Sequence, residues 1–341
     1  MQVYRYRFID IKNIKMEKTV EISNKEEKRR IPYLDVAKAI CIFLMVVGHH
    51  TTNETLLIYI YSFHMPALFA ISGILYKPRS WVKTILSFGI PIAFYSLLNL
   101  IYLLVINEIE IYQVFTKEMF FRFFHYRYGL GDGLFMGDWF IWALIALRLL
   151  WGDIQLLGFI RKYFIYITIF TIIYMTFESH LITIEVLSRG YFWGRAIPSL
   201  PFFCMGLYIK NKKWNPKEMP IYYVLFIIPI VILTMINGYC SINENEYGFS
   251  YLIFYLNAIC STVFLFKITS YIQESKVITI ISKGTLLILG LHIPILNLLE
   301  MIFPSYTYEI LPVFVLLICY YPIQWFDRWC PELLGRIRWN I

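Results

Sequence analysis

Long apolar runs alternate with short polar segments along the chain from about residue 31 onward. A helix needs about 20 mainly apolar residues to cross the roughly 30 Å hydrocarbon core of a bilayer. Ten of the runs approach that length, and several contain proline. They lie at about 31–49, 57–76, 84–106, 134–151, 163–178, 191–209, 220–236, 249–267, 284–303 and 308–325. The pattern predicts an all-α fold, a polytopic transmembrane helical bundle of about ten spans.

The composition indicates the same class of protein. Apolar residues make up 59% of the 341 residues and charged residues only 16%, whereas soluble domains average about 45–50% and 25%. Aromatic residues reach 19%, which suits the aromatic belts at bilayer interfaces. The six cysteines are scattered singly, with no Cys-x-x-Cys pair. We therefore expect neither a metal site nor a disulfide framework.

The positions of the basic residues predict the orientation of the chain. With the N-terminus in the cytoplasm, 25 of the 31 Lys and Arg residues fall on the inner side, five on the outer side and Lys38 within the first span. The positive-inside rule predicts this asymmetry for a chain with an even number of spans. The net charge of +8 is spread between apolar runs, whereas nucleic-acid binding needs a clustered basic surface. We predict a multi-pass protein of the plasma (inner) membrane. Its predicted partners include the lipid bilayer but no nucleic acid.

The runs divide the chain into three parts. Residues 1–30 form a basic cytoplasmic tail, residues 31–325 the transmembrane domain and residues 326–341 a cytoplasmic C-terminal tail. An outer loop at about 107–137 is too long for a tight turn and mixes aromatic with charged residues. This mixture is typical of an interfacial amphipathic helix, and the glycine cluster at 129–133 indicates a flexible turn.

Three polar residues share one stripe of the first predicted span. Lys38 and His49 are eleven residues apart, which returns to within about 20° of the same helix face, and Asp35 lies about 40° from His49. His49 is then about 16 Å nearer the outside than Lys38. Inserting a charged side chain at the middle of a membrane span costs roughly 2.5–3.5 kcal/mol of free energy. Charged groups within a span therefore indicate a functional site. From spacing alone a structural alternative stays open, in which Asp35 and Lys38 form an interfacial ion pair and His49 sits at the water boundary.

The motifs around this stripe resemble the acyltransferase 3 family. The run YLDVAKAICIFLMVVGHH contains a basic residue, ten further residues and a histidine, here Lys38 and His49. The next run, YSFHMPALFAISGILY, contains Phe-His-Met-Pro with His64, followed by an aromatic residue and Ser-Gly. Weaker matches reach to about residue 300, in GDWFIWALIAL, in GRAIPSLPFFCMG with Arg195 and in ISKGTLLILGLHIPIL with His292. The likeness is to the fucose 4-O-acetylase-like, polysaccharide-modifying branch of the family.

The resemblance implies an integral membrane O-acyltransferase. It would move an acyl group, acetyl by default, from cytosolic acetyl-CoA to a hydroxyl of a carbohydrate or lipid-linked glycan. His49 would be the general base, because a neutral imidazole is suited to removing a hydroxyl proton at neutral pH. Lys38 would stabilise the developing oxyanion or bind part of CoA, and Asp35 would pair with Lys38 and fix its position.

The remaining site residues follow from the same resemblance. Relatives often carry two arginines in the loop after the second span, where this chain has Lys77, Arg79 and Lys83. These three residues would bind the CoA phosphates at the cytosolic mouth.

The acceptor would contact His64, Arg195 and His292. The two histidines also fit plain packing roles between helices, and Arg195 fits an ion pair with Glu185 or Asp138. No metal is expected.

Two other functions fit part of the pattern. A polytopic exporter or transporter of glycan or of a small acid would also place Asp35, Lys38 and His49 within the membrane, although no inverted repeat relates the two halves. A polysaccharide polymerase or ligase is polytopic as well, but the longest outer loop here is poor in arginine.

Overall fold

The fold is helical throughout the residues that the structure describes. The computed structural model describes residues 30–116, 119–120, 122, 134–135, 137–152, 163, 166, 169–170, 173, 193–303 and 309–338. Within these ranges the regular elements are helices, apart from one isolated antiparallel bridge between Ser241 and Glu246. The all-α prediction is confirmed.

Nine of the ten described helices given below overlap predicted apolar runs, whereas the short helix Lys276–Lys283 lies in a connection that was predicted to be polar. In chain order they are α1 (Pro32–Gly48), α2 (Glu54–Ile74), α3 (Trp81–Val105), α4 (Asp138–Gly152), α5 (Trp193–Asn211), α6 (Ile227–Asn237), α7 (Tyr251–Thr269), α8 (Lys276–Lys283), α9 (Thr285–Ile302) and α10 (Leu311–Trp329). Short 3₁₀ segments lie at Ile111–Phe115, Pro216–Glu218, Ile221–Phe226 and Pro331–Leu334. Most of the predicted run 163–178, the tail at 1–29 and the glycine cluster at 129–133 lie outside the described residues.

Four of the described helices are long and apolar enough to cross a membrane, namely α2, α3, α7 and α9. The 17-residue α1 and the 11-residue α6 are shorter, and α4 carries a shorter apolar stretch at Trp139–Leu149. The apolar helices support a membrane protein. The count of ten spans and the cytoplasmic N-terminus stay predictions.

Local sequence signals set where the first helices begin. Pro32 stands in the first turn of α1, where its fixed φ suits the helix and its missing N–H is not needed. Asn53 caps α2, since its side chain accepts a hydrogen bond from the Leu56 backbone N–H at 3.0 Å. Ser80 caps α3 in the same way through the Lys83 N–H. These caps fix the lengths of α1 to α3 around the site described below.

The closest helix contact in the core joins α2 to α5. A Cβ atom placed on Gly206 would lie only 2.0 Å from the carbonyl oxygen of Ala70, so the two backbones touch where only glycine fits. Such close approach at small residues is a common way of packing helices within membranes. It ties the histidine-bearing α2 firmly to α5.

A structured loop joins α6 to α7. The Asn237 side chain donates to the Tyr247 carbonyl at 2.9 Å and accepts from the Ser250 N–H at 2.9 Å. Gly248 has a φ of +70°, and a Cβ there would meet the Asn237 carbonyl oxygen at 2.1 Å. Together with the bridge between Ser241 and Glu246, these bonds give residues 238–250 a defined shape.

Candidate active site

A cavity of about 370 Å³ lies at the C-terminal end of α1. We call it the histidine cavity, because three of the six histidines of the chain line it. Helices α1, α2, α4 and α9 and the loop 238–250 form its walls. Its described lining residues are Met45, His49, Tyr61, His64, Met65, Gly137, Trp139, Phe140, Ser241, Ile242, Asn243, Glu244, Leu289, His292 and Ile293.

Two of these histidines are held by the backbone of their own helices. The Nδ1–H of His64 donates to the Ile60 carbonyl at 2.6 Å, and the Nδ1–H of His292 donates to the Ile288 carbonyl at 2.9 Å. A carbonyl oxygen only accepts, so the proton resides on Nδ1, and Nε2 of each neutral ring is a hydrogen-bond acceptor. The Nε2 of His292 is buried and has no hydrogen-bond partner among the described residues.

His49 stands beside His292 at the end of α1. It is the C-cap of α1, and its backbone N–H donates to the Met45 carbonyl. The imidazole rings of His49 and His292 have centroids 5.0 Å apart, and the Tyr61 ring lies 6.4 Å from that of His49. His292 is fully buried, whereas His49 is exposed. The structure thus brings His49, His64 and His292 to one cavity.

Arg195 lies behind the wall of the histidine cavity. It is 4% exposed, and its Nε and Nη2 donate to the Asn243 carbonyl at 3.2 and 3.0 Å. It is not among the described lining residues, so its position favours support of the loop over contact with an acceptor. The alternative ion pairs with Glu185 and with the Asp138 side chain fall outside the described part of the chain.

A second, larger cavity of about 960 Å³ lies at the N-terminal end of α1. We call it the basic cavity, because six Lys and Arg side chains line it and its described lining contains no acidic residue. Its lining residues are Ile31, Tyr33, Ile74, Leu75, Lys77, Arg79, Arg148, Ile209, Lys210, Lys213, Trp214, Asn215, Pro216 and Arg336. A cavity lined by one sign of charge concentrates ions of the opposite sign.

Two of the three residues that were predicted to bind CoA line the basic cavity. Lys77 and Arg79 line it, whereas Lys83, in the first turn of α3, does not. Arg79 is oriented by Ser87, to whose Oγ its Nη2 donates at 2.6 Å. Burial lowers the pKa of the Arg79 guanidinium, which means that the charged group has lost hydration and gains from an anion beside it.

The other four cations were missed as site residues in the sequence. Arg148 stands near the end of α4, and its Cζ lies 5.8 Å from the Tyr76 ring centroid and 5.6 Å from that of Phe88. Its Nε is buried without a hydrogen-bond partner among the described residues. A charged group inside an apolar run is a functional signal, so Arg148 could have been found. The remaining three are Lys210, Lys213 and Arg336.

The predicted pairing of Asp35 with Lys38 is present as an electrostatic interaction, while the closest direct contacts of Asp35 are with other residues. The Asp35 carboxylate accepts from the Ser282 Oγ–H at 2.5 Å and forms an ion pair with the Nε of Arg30 at 3.4 Å. Ser282 belongs to α8, which packs against α1. Asp35 therefore fastens the start of α1 to α8.

Lys38 lies on the α1 face that joins the two cavities. It is half-buried, and it interacts electrostatically first with Asp35 and then, by repulsion, with Arg336, Arg30 and Arg148, of which Arg336 and Arg148 line the basic cavity. Met45, seven residues later and so within about 20° of the same face, lines the histidine cavity with His49. One stripe of α1 thus runs from the basic cavity to the histidine cavity.

The remaining question about the histidine cavity is whether it could hold a metal ion. Within the described ranges, no group of three or more His, Cys, Asp or Glu side chains is arranged to bind one.

Comparison with known proteins gives one match. A family model described as an acyltransferase domain, Acyl_transf_3, matches residues 31–323. The match includes the residues of the histidine cavity and all of those of the basic cavity except Arg336. No curated protein and no solved structure matches the chain.

Proposed function

The chain belongs to the acyltransferase 3 family, and on that premise we propose that it is a membrane O-acetyltransferase acting on a carbohydrate or lipid-linked glycan. The observation that carries the proposal is the pair of unlike cavities at the two ends of α1. A basic cavity suits a phosphate-bearing donor, and a cavity lined by histidines suits proton removal from an acceptor.

The basic cavity is the proposed site of acetyl-CoA. CoA carries a diphosphate and a ribose phosphate, and arginine binds such groups through paired charge-assisted hydrogen bonds. Arg79 and Arg148 present guanidinium groups there, and the cavity is near the upper end of the usual size of ligand pockets, about 300–1,000 Å³. With the N-terminus in the cytoplasm, this cavity faces the compartment that contains acetyl-CoA.

His49 is the proposed general base. As the acceptor hydroxyl oxygen attacks the acetyl carbonyl carbon, His49 takes the hydroxyl proton, the carbon–sulfur bond breaks and the CoA thiolate leaves with the electron pair. The proton on His49 then passes to the thiolate or to solvent. Base catalysis of this kind contributes roughly 10²- to 10⁴-fold to the rate.

Lys38 is better placed for the donor than for the reacting carbonyl. It lies about 16 Å along α1 from His49 and interacts with two cations of the basic cavity. Of the two roles that the sequence left open, binding CoA is therefore the one we propose. The acetyl group would reach His49 along the stripe of α1 that bears Met45.

Labelled acetyl-CoA tests the proposed function. The full chain in proteoliposomes is supplied with acetyl-labelled CoA on the side of the basic cavity and with a surface glycan on the other side. We expect label on the glycan, and we expect His49→Ala to abolish transfer while the protein stays in the membrane. The control is His50→Gln, since His50 pairs with Glu300 at 2.9 Å and does not line the histidine cavity.

The same experiment separates the enzyme from an exporter. Two cavities along one helix also suit a transporter, which would move the glycan across the membrane without labelling it. In a parallel arm the glycan is supplied on the side of the basic cavity, and its recovery without label on the other side would favour the exporter and reject the acetyltransferase. Transfer retained in His49→Ala would reject His49 as the base.

A further inference from the structure

Two imidazoles of the histidine cavity present hydrogen-bond acceptors. The rings of His64 and His292 have their Nδ1–H groups bonded to their own helices. The two nitrogens of an imidazole are separated by one carbon and point in different directions, so each Nε2 lone pair is directed away from the helix carbonyl that the Nδ1–H bonds. A ligand that satisfies them has to bring hydrogen-bond donors.

Glu244 adds a negative charge to this lining. One carboxylate oxygen, Oε2, accepts from the Tyr239 hydroxyl at 3.3 Å, and the backbone N–H of Glu244 donates to the Ser241 Oγ at 3.2 Å. Apart from the histidines, the titratable residues in the described lining are Glu244 and Tyr61. The described lining contains no Lys or Arg.

Tyr239 holds the Glu244 side chain in place. Burial, and then the carboxylate of Glu244, raise the pKa of the Tyr239 phenol. The phenol therefore stays protonated and donates to the carboxylate, and its ring packs 5.4 Å from that of Tyr61. Glu244 is thus positioned within the wall and does not project freely into solvent.

Aromatic rings supply the other half of the lining. Trp139, Phe140 and Tyr61 line the cavity, and the Trp139 and Phe140 rings pack with centroids 6.0 Å apart. The negative faces of aromatic rings attract polarised C–H groups, and sugar rings present such C–H faces between their hydroxyls. The volume of about 370 Å³ is at the lower end of the range of about 300–1,000 Å³ for ligand pockets.

We propose that the histidine cavity binds one sugar residue that carries no negative charge, and that it rejects sugars bearing a carboxylate. The inference rests on the proposed function, because that function makes this cavity the acceptor site. Hydroxyl donors of a neutral sugar satisfy Glu244, His64 and His292, and its C–H face packs on the aromatic rings. A uronate meets Glu244 with the same charge, and such repulsion is an effective means of specificity.

Ligand binding without turnover tests the proposal. Saturation-transfer NMR is recorded on the purified full chain in a detergent without sugar, using the methyl pyranosides of glucose, galactose and mannose and their matching uronates. We expect the best neutral pyranoside to bind at least about 10-fold more tightly than its uronate, which is a difference of one decade in Kd. Binding of the uronates at equal or higher affinity would overturn the proposal, and so would failure of every neutral pyranoside to bind.

Two matched variants locate the effect. Glu244→Gln removes the charge but keeps the shape, so the preference for the neutral sugar should fall to within about threefold. Glu246→Gln removes the same charge from an exposed residue of the same loop that does not line the cavity, and the preference should stay. Equal loss of preference in both variants would assign the effect to the general charge of the loop and contradict the proposal.

Different experimental outcomes distinguish failure of this inference from failure of the proposed function. Neutral sugars that bind while no label passes from acetyl-CoA to any glycan would reject the acetyltransferase and keep the inference. Label that passes equally to uronate-bearing and neutral glycans would keep the acetyltransferase and reject the inference.

Discussion

The histidine cavity and the basic cavity differ in how they hold their polar groups. In the histidine cavity the imidazoles of α2 and α9 are fixed by bonds to their own helices, within a small volume. In the basic cavity most of the cations come from connections and helix ends, and the volume is more than twice as large. The first arrangement suits a reaction that depends on a fixed geometry, and the second suits capture of a large anion by its charge.

This difference predicts that substitutions at the two ends of α1 change different kinetic constants. Changes in the histidine cavity should act on kcat or on the acceptor, whereas changes in the basic cavity should act on the KM of the donor. A variant that changes the wrong constant would contradict the division of roles.

The largest effect is expected for His49→Gln. Glutamine keeps a hydrogen-bonding side chain at the end of α1 but cannot take a proton, so kcat should fall by about 10²- to 10⁴-fold. The KM for acetyl-CoA should change by less than about twofold, because a residue that acts only in the transition state does not alter ground-state binding. Steady-state kinetics with both substrates varied measures the two constants. If kcat fell by less than about threefold, the role of His49 as the base would be contradicted.

Arg148→Ala should give the next largest effect, and the constant that changes should be the KM for the donor, acetyl-CoA. Its guanidinium lines the basic cavity, and a lost charge-assisted hydrogen bond costs about 1.5–3 kcal/mol, so the KM for acetyl-CoA should rise by about 10- to 100-fold. Lys83→Ala is the control, because Lys83 lies on the same side of the bundle without lining the cavity. Equal effects of the two substitutions would mean that general charge, and not the cavity, binds the donor.

Asn237→Ala tests whether the loop 238–250 belongs to the acceptor end alone. The substitution removes the side-chain bonds to Tyr247 and Ser250, each worth about 1 kcal/mol net, so the acceptor KM should rise by about 5- to 10-fold. The donor KM should not change. Glu246→Gln, on the same loop but outside the cavity, serves as the control for a general effect of loop mutation.

The sequence predicted the histidine cavity better than the basic one, for a physical reason. His49, His64 and His292 stand in apolar helices, where a polar residue is unusual and therefore noticeable. Lys210 stands in the last turn of α5, and Lys213 and Arg336 stand in polar connections, where the positive-inside rule already accounts for basic residues. Nothing local distinguishes a cation that lines a cavity from one that only faces lipid headgroups.

Contacts between distant parts of the chain were also out of reach. Asp35 and Lys38 are three residues apart, a spacing that favours an ion pair on an isolated helix. The hydrogen-bond partner of Asp35, Ser282, is 247 residues away in sequence. The same limit applies to Glu244, which reaches the histidine cavity only because Asn237 and the bridge of Ser241 with Glu246 shape the loop.

The smallest effect, and one that needs no mutation, is that of ionic strength. The donor end depends on six cations that act on a polyanion, and salt shortens the range of such attraction from about 10 Å at 0.1 M to about 3 Å at 1 M. Raising NaCl from 0.1 to 0.5 M should therefore increase the KM for acetyl-CoA by about two- to fivefold. The KM of a neutral acceptor should stay within about 1.5-fold, because hydroxyl hydrogen bonds and aromatic packing do not depend on screening. If salt raised both constants equally, it would be acting on the whole protein, and the two cavities would not differ in the way their linings indicate.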